Sequence, residues 1–140
     1  MKTYFIVASD AEVARMRSLD DVCRHIERTE QMLGGNISLE AIASMSKVFL
    51  RGESRVPTPT QYSWENGSRF YSVDAEFCEQ MAAAAHENLL NASVPCSEDE
   101  PWKSTEVNRM DLAGFILDMA ALCKQAEAEK HLFILLSSED

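Results

Sequence analysis

The amino-acid sequence predicts an α+β fold. It reads as a helix-rich single domain of about five helices with a small two- or three-stranded sheet formed by the chain ends and a middle strand. Three observations lead there. Lys2 to Ala8 is rich in β-branched and aromatic residues and reads as a strand. Leu112, Phe115, Ile116, Met119, Leu122, Cys123 and Ala126 recur at i, i+3, i+4 and i+7, the period of a helix with one buried side. His131 to Leu136 is a short apolar run bounded by Ser137-Ser138; it fits a third strand or an extension of the helix, and periodicity does not decide between them. A chain of 140 residues is one domain by length and buries roughly two-thirds of its unfolded surface, enough for a core without staples.

The remaining elements follow in order. Ser9 and Glu12 stand at capping-box spacing, so a short helix is expected over about Asp10–Arg17. Ser18 and Asp21 repeat the signal; Val22, Cys23, Ile26 and Leu33 lie at helical spacing, and Gly34-Gly35 supply the stop. A third helix is expected from Ser38 to about Leu50, with Ile37 and Ile42 as its hydrophobic staple. Short connections predict that these three helices pack as one antiparallel unit. Gly52 to Gly67 holds two prolines, two glycines, Tyr62 and Trp64, and reads as a long loop, either functional or pinned to the core by its aromatics. Ser68 to Val73 alternates around Phe70 and Tyr71 and fits a second strand. Asp74 caps a helix that carries Phe77, Cys78, Met81, Ala85 and Leu89 and ends before Pro95. Cys96 to Val107 is a polar connector, and Asn108 with Asp111 opens the last helix.

Charge is distributed unevenly along this frame. Through Phe70 nine acidic residues face nine basic ones, whereas from Tyr71 onward there are fourteen acidic and four basic, so the net charge of −10 belongs to the second half. Such asymmetry suggests an acidic face for a basic protein partner. A pI near 4.7 argues against nucleic acid and against anionic membranes as ligands, since phosphates are repelled. The N-terminal apolar run is too short for a signal peptide, and no segment approaches the ~20 apolar residues of a membrane span. The expected compartment is cytoplasmic. Self-association stays open.

Chemical motifs are absent. His25, His86 and His131 each stand alone, without zinc-ligand spacing, and no GxGxxG, Walker A or GxSxG sequence occurs. Cys23 and His25, two residues apart on a helix, point away from each other. Cys23, Cys78, Cys96 and Cys123 read as reduced core residues, with Cys96 the most exposed. No catalytic residue, metal or cofactor is expected, and the chain does not read as an enzyme.

The sharpest candidate surface is Glu98-Asp99-Glu100-Pro101-Trp102. Adjacent carboxylates resist burial without a cation, proline stiffens the backbone, and tryptophan offers the area of an interface anchor. The expected partner-binding set is therefore Glu98, Asp99, Glu100, Trp102 and Glu106, with Tyr62 and Trp64 as a second patch. The alternative is a solvated loop whose Trp102 tucks into the core. In size, acidity and lack of catalytic motifs the chain resembles the immunity proteins that neutralise bacterial toxin domains. That likeness includes no sequence motif. It implies an inhibitor that blocks the active site or substrate groove of a basic toxin or effector acting in the cytoplasm, such as a nuclease. The rival reading is a small adaptor or chaperone holding a partner helix in an apolar groove. A third is an enzyme of unrecognised family with Arg55, Tyr62 and Trp64 around its pocket.

Overall fold

The computed structural model describes residues 2–29, 34–35, 37–105 and 107–138. The chain ends pair as expected: strands β1 (Lys2–Ser9) and β5 (Lys130–Ser137) run antiparallel in unbroken register from Lys2 opposite Ser137 to Ser9 opposite Lys130. They form the centre of one antiparallel sheet ordered β2-β1-β5-β4-β3. Four strands carry it, with β3 (Thr58–Ser63) and β4 (Arg69–Ser72) completing one side. The two-residue β2 (Gly34–Gly35) bridges to Thr3 and Tyr4 on the other. The sheet is thus wider than the two or three strands expected.

Because side chains alternate across a strand, the two apolar sets of β1 and β5 bury on opposite faces. Phe5, Val7, Leu132 and Ile134 join one core cluster with α3 (Leu39–Phe49), α4 (Ala75–Ala83), α5 (His86–Asn91), α6 (Ser93–Glu98) and α7 (Arg109–Gln125). Tyr4, Ile6, Ala8, Phe70, Phe133 and Leu135 join a second cluster with α1 (Asp10–Arg15) and α2 (Leu19–Thr29). The fold is therefore a sheet between two unequal helical layers.

Local chemistry explains several boundaries. The Ser9 hydroxyl accepts from the Glu12 N–H while the Glu12 carboxylate accepts from the Ser9 N–H, the predicted capping box. Ser38, Asp74 and Asn108 cap α3, α4 and α7 as expected. The run after the last helix is a strand, paired on both sides.

Four expectations fail for tertiary reasons. First, α3 does not pack with α1 and α2: it lies in the cluster on the opposite face of the sheet. Second, the stretch from Gly52 to Gly67 is not a structureless loop, since it contains β3, which hairpins onto β4. Third, the single helix expected after Asp74 breaks at Ala84, whose ψ of 141° leaves the helical region, and resumes as α5 and α6. Pro95 does not stop it. Proline lacks the N–H that would bond the Asn91 carbonyl, so a turn forms at Ala92, yet Ala92 keeps φ −62° and ψ −21° and the rod continues to Glu98. Fourth, this continuation turns Cys96 inward to 0% exposure, and Cys23 is the partly exposed cysteine instead. Leu33 lies outside the described residues. No described helix is long and apolar enough to cross a membrane.

Candidate functional site

Folding converts the charge split along the sequence into a charged layer. The acid-rich second half supplies α4 to α7, all on one side of the sheet. Two cations from the first half reach across to it. Arg55 holds Glu53 at 2.6 Å, Asp74 at 3.1 Å and Glu76 at 3.3 Å, and its hydrogen bonds to Glu53 and Asp74 raise its already high pKa. Lys47 holds Asp99 at 3.2 Å. Glu79, Glu87, Glu98, Glu100, Asp111, Asp118, Glu127 and Glu129 remain exposed, and no described residue gives any of them an ion pair.

The acidic connector splits into inward and outward parts. Asp99 ends α6 and turns toward α3, accepting from the Ser44 hydroxyl at 2.8 Å and from Lys47 Nζ. These two donors hold its carboxyl below the usual aspartate range. Glu98 and Glu100 point to solvent, Glu100 accepting a hydrogen bond from Ser104.

Trp102 overturns its expected role as an exposed anchor. It opens a 3-10 turn (Trp102–Ser104) and is only 5% exposed. Its indole N–H donates to the Ala41 carbonyl at 2.7 Å, and its ring lies 5.8 Å from that of Phe115. A large aromatic with its one polar atom satisfied gains more from this seat between α3 and α7 than from water. Glu106 lies outside the described residues.

Tyr62 and Trp64 belong to the other face. Both are half-buried against the second cluster, Trp64 donating its indole N–H to the Met16 carbonyl at 2.9 Å and meeting Phe70 edge-on at 5.8 Å. Beside them a cleft of about 500 Å³ opens between α1 and the hairpin, lined by Val13, Met16, Arg17 and Glu65. The two predicted patches therefore sit on opposite sides of the sheet. Arg55, bound to Asp74 at the start of α4, is not among the residues that line the cleft beside Tyr62 and Trp64.

A larger cleft, about 770 Å³, lies where α4, the end of α7 and the start of β5 meet. Cys78 and Cys123 line it along with Glu79, Lys124 and His131. The Cys123 thiol is hydrogen-bonded to Cys78 and buried, and both effects push its pKa upward. Burial and the nearby Asp99 charge likewise push the Cys96 thiol up to about 12. Thiols held protonated in this way are poor nucleophiles. Among the described residues no three His, Cys, Asp or Glu side chains converge to hold a metal ion.

One surface escaped the sequence reading. Leu90 and Val94 are 38% and 39% exposed on the α5–α6 rod, which with another of its sides, through Asn88, Asn91 and Pro95, lines a groove of about 450 Å³ against the end of α3. Reading Pro95 as a stop hid it, because the i, i+4 spacing of Leu90 and Val94 matters only if the helix continues. No protein-family model matches the chain, and comparison with curated proteins and with solved structures finds no match either.

Proposed function

We propose that this protein is a small acidic inhibitor of the immunity type. It binds a basic protein, a cytoplasm-acting toxin or effector enzyme such as a nuclease, through the α4–α7 layer and covers that partner's active site or substrate groove. The observation that carries the reading is the set of eight exposed carboxylates, none ion-paired to a described residue, on α4–α7 and the turns that follow them, in a chain whose first half is charge-balanced. A fold needs no such concentration, and like charges on one layer repel one another. A basic partner turns that repulsion into attraction, which speeds encounter and selects against acidic competitors. On this reading the protein is a binding module with no turnover of its own.

The test is capture of the native partner followed by kinetics across a salt series. The partner should have a basic pI, and association should slow steeply as ionic strength rises while dissociation changes less. An acidic partner, or an association rate indifferent to salt, sinks the proposal.

A further inference from the structure

We infer that the outer face of α7 around Gly114 is the seat of an arginine side chain of the basic partner. The inference rests on the proposed function and narrows it to one notch and one kind of side chain. Gly114 is the starting point, because the fold itself has no use for a glycine there. It lies inside α7, in helical backbone, and is exposed. A Cβ added to it meets no atom within 4 Å. Glycine in a helix interior is less stable than alanine, so this position gives up stability without gaining any packing inside the protein. Its bare backbone leaves room for a group that arrives from outside.

The neighbours of Gly114 on the helix surface define what fits. Residues three and four apart along a helix stand side by side, so these neighbours are Met110, Asp111, Leu117 and Asp118. At about 100° per residue, Met110 and Leu117 flank the glycine on one side, and Asp111 and Asp118 on the other. Met110 is 85% exposed, the most of any large apolar side chain among the described residues, and Leu117 is half-buried. Asp111 and Asp118 are exposed, and neither has an ion pair to a described residue. The helix's own cations, Arg109 and Lys124, fall at neither spacing from Gly114. The notch, its apolar wall and its acidic wall therefore form one surface on one helix. Arginine matches all three parts. Its aliphatic stem lies on Met110 and Leu117, its planar guanidinium lies flat over the bare backbone, and its N–H groups donate to Asp111 or Asp118. Lysine, a compact and strongly hydrated charge, gains less from a flat seat. A second copy of this chain is a poor occupant, since it would set Asp111 and Asp118 against an equally acidic surface.

The probe is an acetylated, amidated peptide of alternating arginine and glycine, and its companion is a lysine–glycine peptide of the same length. Binding is measured and located at moderate ionic strength by backbone amide shifts of the protein. The arginine peptide should shift residues 110–118 most and bind more tightly than the lysine peptide. Gly114→Ala should raise the melting temperature yet weaken the arginine peptide about tenfold, because the added methyl group fills the notch. A stabilised variant that binds worse separates a docking role from a structural one. Asp111→Asn with Asp118→Asn should weaken the peptide at least as much. Glu79→Gln with Glu87→Gln removes the same charge from α4 and α5 and should weaken it much less. If that control costs as much as the aspartate pair, or the shifts spread evenly over α4–α7, the attraction is diffuse. If Gly114→Ala binds like the parent, or the lysine peptide binds as tightly as the arginine one, the notch selects nothing. In each of these cases the α7 site falls while the acidic-inhibitor reading survives. If neither peptide binds at millimolar concentration, both fall.

Discussion

The two faces of the sheet are closed in different ways. On one, five helices cover Phe5, Val7, Leu132 and Ile134, and eight exposed carboxylates without an ion pair to a described residue stand on α4–α7 and the turns that follow them. On the other, α1 and α2 shield the central strands, while the β3–β4 side is covered by its own Tyr62 and Trp64, leaving a cleft open beside them. The two tryptophans express the contrast. Each gives its N–H to a main-chain carbonyl, but Trp102 is enclosed by helices and Trp64 stays half-exposed at the edge of its cluster. Equal hydrogen bonding with unequal enclosure means that packing separates the two layers.

The largest effect that tests this contrast is truncation of the tryptophans. Trp102→Ala should cost the free protein about 3–5 kcal/mol, because it empties a core site and removes the indole hydrogen bond to the Ala41 carbonyl. Trp64→Ala should cost less, about 1–3 kcal/mol, since part of that ring already faces water. Urea denaturation of both variants measures the difference, and equal losses would dissolve the distinction.

Acid should act on both faces through different contacts. The carboxyls of Asp99 on the helical layer and Glu12 on the α1 side are both held below their ordinary values. The chief causes are hydrogen bonds from Ser44 and Lys47 to Asp99, and from the Ser9 N–H to Glu12. A folded-state value below the unfolded one adds stability that is fully present above the unfolded pKa of about 4 and is lost as pH falls through the folded value. Melting temperatures measured downward from neutrality should therefore drop below about pH 4, and Asp99→Asn should flatten part of that drop. An unchanged profile in the variant would remove Asp99 from the account.

Thiol reagents should report the same enclosure. Cys23, partly exposed on α2, should be modified first in the native protein, while Cys78, Cys96 and Cys123 wait for unfolding. Peptide mass spectrometry resolves the order, and early labelling of Cys96 would contradict the continuation of α6 past Pro95. The smallest expected effect on the fold is that of Glu98→Lys with Glu100→Lys, within about 0.5 kcal/mol of the parent in chemical denaturation. The same pair should slow association with a basic partner. A large loss of stability would mean these carboxylates support the fold.

Much of the frame was legible because it depends on neighbours in sequence. The caps at Ser9, Ser38, Asp74 and Asn108 are contacts three residues long, and the stripe from Leu112 to Ala126 is a period inside one helix. The candidate surface was less legible. Glu98 and Glu100 do face solvent, but Asp99 turns to α3, and the connector reads alike for an exposed or a buried Trp102. Strand β3 was hidden because it buries no residue fully, its extended form comes from pairing with β4, and its Pro59 resembles loop punctuation.

The sequence by itself determined the α+β class, the pairing-prone chain ends, the helix starts that carry a side-chain cap and the lopsided charge, because composition, period and capping act over a few residues. Only the tertiary structure decided which face each helix covers, that Trp102 packs against Phe115 and Cys96 turns inward, and that Leu90 and Val94 stay outside. Those outcomes depend on segments far apart in the chain meeting at close range. The 2.7 Å bond from the Trp102 indole to the Ala41 carbonyl, spanning sixty-one residues, is one such meeting.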